Sequence, residues 1–197
     1  MNQFEYVMVL VSIIIGLGIT HVLFGISGVV DRISRRKADL ELSVAHAAWL
    51  GFCLSWMVMF WWWEYRFASR VNDWTIGLYL FLVIYSITLF LMSAILVPRS
   101  WEGIRSLKEY FLERRVWFYS LLLLATVLDV CDAYLKGGVG YLLENQGVLI
   151  WAYWLASIPV AIVGISSSRL QVHNFMGIMF LCWQVAIGFG VTPMLRF

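Results

Sequence analysis

Six apolar stretches of about 20 residues recur along the chain, near residues 6–30, 43–63, 75–97, 116–135, 148–167 and 171–190. Each is long enough to cross a hydrocarbon core of about 30 Å as a helix rising 1.5 Å per residue. The pattern predicts an all-α integral membrane protein, a bundle of six transmembrane helices forming one membrane domain over residues 1–197. Residues 31–42 (DRISRRKADLEL) and 98–115 (PRSWEGIRSLKEYFLERR) are charged connections, 136–147 (KGGVGYLLENQG) is glycine-rich, and 168–170 is barely a turn. So short a turn makes the fifth and sixth helices antiparallel neighbours.

Within 98–115, Trp101, Ile104, Leu107, Phe111 and Leu112 recur at helical spacing with charges between them. After the stop at Pro98, this spacing predicts an amphipathic helix lying on the inner leaflet between the third and fourth spans. Six spans also divide into halves of three, the arrangement of an inverted repeat.

Composition supports the membrane reading and narrows it no further. Of 197 residues, 62% are hydrophobic and 13% charged, with a mean hydropathy of +0.83. A soluble domain is nearer ~25% charged. Cys53, Cys131 and Cys182 fall in three different apolar runs with no repeated spacing and read as buried free thiols.

Charge sets the expected orientation. Ten of the 14 Lys and Arg residues fall on one side: Arg32, Arg35, Arg36 and Lys37 in the first connection, Arg99, Arg105, Lys108, Arg114 and Arg115 in the third, and Arg169 in the fifth. Arg66, Arg70, Lys136 and Arg196 fall on the other. Basic residues accumulate on the cytoplasmic side, so both termini should face away from the cytoplasm of a cell membrane. The first helix lacks the basic leader and cleavage site of a signal peptide and is expected to stay as a span. Topology explains the basic residues, and no nucleic-acid-binding signature appears.

Carboxylates inside this apolar frame are the candidate chemistry. Asp129 and Asp132 lie about 20 and 24 Å along the fourth helix from Val116, on one face that continues to Lys136. Glu5 begins the first helix and Glu64 ends the second at the same level, so four carboxylates on three helices gather toward the outer side. An intramembrane carboxylate costs several kcal/mol unless paired or hydrated. It therefore marks an ion pathway or a structural pair, and for Asp132 the available pair is Lys136. Gln184, near mid-bilayer on the sixth helix, needs either another helix or a wet cavity. His21 could serve as an inner protonatable station.

Other features read first as packing. Gly18, Gly25 and Gly28 form a small-residue stripe beside His21 that permits close helix approach and is a candidate subunit interface. Tyr79, Ser86 and Ser93 repeat at seven on the third helix. Trp49, Trp56 and Trp63 share a face, and Trp61 and Trp62 join Trp63 in an outer aromatic belt. His46 and His173 sit at similar depth near the inner ends of the second and sixth helices, where paired axial histidines could hold a haem. No hydrolase, metalloprotease or phosphate-loop motif is present, no metal ligand set is recognisable, and no cofactor is named by the residues.

Two function classes follow, neither of them enzymatic. One is a homo-oligomeric cation or proton channel or transporter, with Asp129, Asp132, Glu5 and Glu64 as an acidic outer mouth. The other is a non-transporting sensor or assembly subunit whose cytoplasmic connections meet a protein partner or lipid. A haem-binding electron-transfer subunit is a third, more distant reading.

Overall fold

The structure, a computed structural model, describes residues 3–34, 40–71, 73–144 and 146–190, the side chains of 189 and 190 excepted. Arg35, Arg36, Lys37 and Arg196, counted above for orientation, lie outside the described residues. The described chain is helical apart from its connections: α1 (Gln3–Ser34), α2 (Val44–Glu64), a single turn α3 (Phe67–Arg70), α4 (Ile76–Leu96), α5 (Leu107–Glu144), α6 (Val148–Ser166) and α7 (Leu170–Gly190). All but α3 are long and apolar enough to cross a membrane. Helix starts follow local chemistry: Ser43 caps α2 by accepting from the His46 amide, and Thr75 caps α4 by accepting from that of Leu78. Val97 ends α4 just before Pro98, which has no amide to continue the ladder.

Two connections differ from the sequence expectation. No separate amphipathic helix lies between the third and fourth spans. Residues 97–106 are a non-helical turn segment, and the helix that begins at Leu107 runs straight into the fourth span. Its first apolar face, with Leu107 and Phe111, is buried against protein, so it has no leaflet surface to lie on. The glycine-rich connection is likewise mostly helical. α5 continues to Glu144 through a break at Gly137 and Gly138. Gly138 has φ 67°, a left-handed conformation that costs a side-chain-bearing residue about 1–2 kcal/mol.

The helix pairs with the most extensive contact are α2 with α7, α1 with α4, α5 with α6, and α4 with α5. Side-chain contacts show α1 and α4 running parallel: Phe4 meets Trp74 at one end, and Gly25 meets Val97 at the other. α7 runs parallel to α2, with the Asn174 carboxamide accepting from the Ala45 amide and Gly177 seated on Trp49. The second half of the chain does not repeat the first, since α7 pairs with α2 rather than with α5. Nor is α6 the main neighbour of α7, although the tight turn does leave them antiparallel. Of the cysteines only Cys53 is buried. Cys131 and Cys182 face outward, an orientation that an apolar thiol tolerates against lipid.

The centre of the bundle is aromatic. The Trp49 ring lies 5.0–5.5 Å from those of Phe52, Phe118, Tyr119 and Phe180, mostly edge-to-face, and none of the five is exposed.

Candidate functional site

The polar site sits at the end of the bundle where α2 and α5 finish and α6 begins. Helical spacing puts Asp129, Asp132 and Lys136 on one face of α5, directed at α2 and α6. Lys136 donates to Asp132 Oδ2, one turn earlier, and to Glu64 Oε1 at 3.2 Å, at the last residue of α2. All three side chains are buried, with 2–6% of each exposed. The ammonium also lies 4.9 Å from the centroid of the Phe67 ring, which covers it from α3. The break at Gly137 and Gly138 follows directly. It turns the last part of α5 so that the Tyr141 hydroxyl accepts from Arg66 Nη1 at 2.8 Å and its ring stacks under Arg70 at 4.5 Å.

Asp129 is held differently. Its two carboxylate oxygens accept from the Tyr85 hydroxyl of α4 at 2.8 Å and from Trp154 Nε1 of α6 at 2.7 Å. Two neutral donors stabilise a carboxylate without cancelling its charge. Asp132 Oδ1 and Glu64 Oε2, by contrast, are buried with no hydrogen-bond partner.

Asp129, Asp132 and Lys136 border a cavity of about 50 Å³ between α2, α5, α6 and α7. At about 10–15 Å³ per water it has room for a few water molecules. Asp129, Asp132, Lys136, Arg66, Gln146 and Gln184 are its polar lining, and the rest is chiefly aromatic. Two donors in that aromatic wall, Trp56 Nε1 and the Tyr153 hydroxyl, are buried without a protein partner. The wall therefore offers unmatched donors as well as unmatched acceptors, a lining suited to a small polar or charged occupant. Toward the other end the packed rings around Trp49 fill the interior.

Of the residues singled out in the sequence, Asp129, Asp132 and Gln184 line this cavity, and Glu64 joins it through Lys136. Glu5 does not: it is exposed on α1 and borders a separate surface depression with Trp61 and Tyr65. His21 stands apart as well, in a groove toward the opposite end beside Phe90. Gly18, Gly25 and Gly28 face Met57, Val97 and Trp101 of the same chain. The face offered as a subunit interface is thus covered from within.

Several small polar residues bond to their own helices. Ser86 and Ser93 donate to carbonyls three residues back, and Ser157 to one four residues back. His173 Nε2 donates to the Ser167 carbonyl at 3.0 Å, which leaves Nδ1 to accept from the Tyr119 hydroxyl at 2.9 Å. His46 Nε2 donates to the Leu96 carbonyl at 2.6 Å. Separate protein partners thus occupy the two imidazoles that had suggested a haem.

Sequence reasoning missed Tyr85, Trp154, Tyr141 and Arg66. An aromatic donor in an aromatic-rich helix carries no mark of its acceptor, and Arg66 had been explained by topology. Comparison with protein-family models, curated proteins and solved structures gives no match to this chain.

Proposed function

We propose that this multi-pass membrane protein takes up protons or small cations at the cavity beside Asp129 and Asp132, as a cation- or proton-coupled transporter rather than an enzyme. The observation that carries this reading is the charge balance of the site. Glu64, Asp129 and Asp132 supply three carboxylates against one buried cation, Lys136, since Arg66 and Arg70 are more exposed and engage Tyr141. In a low-dielectric interior an uncompensated negative charge is costly, and a bound proton or cation neutralises it. The unmatched oxygens of Asp132 and Glu64 are the natural acceptors for a shared proton. Asp129 and Gln184 would receive an ion entering through the cavity.

The charge asymmetry of the connections supports a non-cytoplasmic position for this cavity and for both termini. The rings around Trp49 oppose a standing pore, so passage to the other side requires helix movement, as in carriers that alternate access around a site. A homo-oligomer remains part of this reading, with an interface other than the covered glycine face. The same aromatic packing favours a second reading, a sensor or assembly subunit in which cation uptake changes the bundle without transport. Purified protein in liposomes separates the two. Flux of H⁺, Na⁺ or K⁺ above that of empty vesicles, lost in Asp129→Asn, supports transport. No flux across a range of pH and voltage leaves the second reading.

A further inference from the structure

A second site lies at the opposite end of the bundle, where α1, α4, the 97–106 segment and the start of α5 enclose a groove of about 580 Å³. Its origin is local. Pro98 stops α4, and the chain turns outward through Gly103 at φ 76°. Trp101 then rests on Gly28 of α1, while Arg32 clamps the segment by donating to the carbonyls of Trp101 and Ile104. The segment is thereby held away from the last turns of α4, whose Phe90, Leu91, Ala94 and Ile95 become an apolar floor.

The mouth is basic and aromatic. Arg99 is exposed at the rim. The Arg114 guanidinium stacks 3.7 Å over the Tyr110 ring and donates to the Tyr110 carbonyl, which aims it across the groove. Arg114 also meets Glu113 at 3.1 Å, but that carboxylate is 72% exposed, and so solvated an ion pair yields readily to a competing anion. Trp117, 70% exposed, stands at the same mouth as an interfacial anchor would. His21, about 10 Å deeper along α1 than Gly28, borders the floor, and its Nε2 has no hydrogen-bond partner.

We infer that this groove binds an anionic phospholipid, its phosphate between Arg99 and Arg114 and one acyl chain along the α4 floor. Charge complementarity selects the headgroup, and the apolar floor directly below distinguishes a lipid from a free phosphate. The His21 imidazole lies beneath the arginines, where the ester oxygens of a lipid follow its phosphate. The end concerned is the one bearing most of the basic residues, which would face the leaflet whose anionic lipids attract them.

The test uses the full-length protein in detergent, with phosphatidylglycerol, phosphatidylcholine or glycerol phosphate added. Lipid retention is read by native mass spectrometry and thermal midpoint by unfolding. Phosphatidylglycerol should be retained and raise the midpoint, whereas the other two should not. An Arg99→Gln/Arg114→Gln double variant should bind it at least about tenfold more weakly. Ala94→Trp, which fills the floor without touching the charges, should also lose it. Equal retention of phosphatidylcholine, or phosphatidylglycerol binding that survives in Ala94→Trp, overturns the proposal. Should the double variant not fold, the headgroup comparison on the native chain and the Ala94→Trp variant still decide. Neither readout depends on transport.

Discussion

Lys136 Nζ lies 3.2 Å from Glu64 Oε1, tying the last residue of α2 to the last turn of α5 before its break. Both groups are buried, and the same ammonium holds Asp132. A cation that serves two carboxylates is harder to lose than either carboxylate.

Lys136→Met should therefore be the most damaging single change in the cluster. It leaves two buried carboxylates facing each other without compensation, at a cost of about 3–5 kcal/mol. Thermal unfolding in detergent should show a midpoint far below that of the native chain. Adding Glu64→Gln and Asp132→Asn to Lys136→Met should restore part of the loss. A triple variant no more stable than the single one would show that charge pairing does not hold this end of the bundle.

Asp129→Asn should cost less, about 1–2 kcal/mol. The amide keeps one acceptor oxygen for the donor-only Trp154 N–H, so the Tyr85 hydroxyl loses its charged acceptor and must turn to accept from the new NH2. Tyr85→Phe, which removes one donor and leaves Trp154 in place, should cost less again. The same unfolding measurement ranks the three changes, and a neutral Asp129→Asn would mean that the Tyr85 hydroxyl finds another acceptor.

Glycines along α1 should differ sharply from one another. A Cβ at Gly25 would stand 2.8 and 2.9 Å from the two Val97 methyl carbons, so Gly25→Ala must displace the Val97 side chain and should lose about 1–3 kcal/mol. Gly16 has no atom within 4 Å of that position. Gly16→Ala should be neutral or gain up to about 1 kcal/mol from helix propensity. Equal behaviour of the two would contradict the packing of α1 on α4.

Orientation is checked on intact cells with a background lacking the native cysteines. An impermeant thiol reagent should label Asp73→Cys, between α3 and α4, and spare Glu102→Cys in the 97–106 turn. Both positions are exposed at opposite ends of the bundle. The reverse labelling would place the polar cavity on the cytoplasmic side.

The sequence by itself determined the helix content and the number of membrane-length helices, because a run of about 20 apolar residues has one economical conformation in lipid. It also determined that Asp129, Asp132 and Lys136 share a face, since helical spacing is a local property. Gln184 could be marked as needing a partner for the same reason, because polar side chains are conspicuous in an apolar run.

What only the tertiary structure decided was which helices meet. Glu5 and Glu64 have similar depth, yet Glu64 reaches Lys136 while Glu5 faces another side of the bundle, because α1 packs chiefly along α4. The pairing of α7 with α2 brought Gln184 to the cavity that Asp129 also lines, and it rested on the fit of small residues such as Gly177 against Trp49. The amphipathic spacing over 98–115 misled because half of it, from Leu107, continues into α5 and buries its apolar face on protein. Periodicity records that a face must be covered. Which surface covers it, lipid or another helix, depends on packing between distant parts of the chain, and that information is not local.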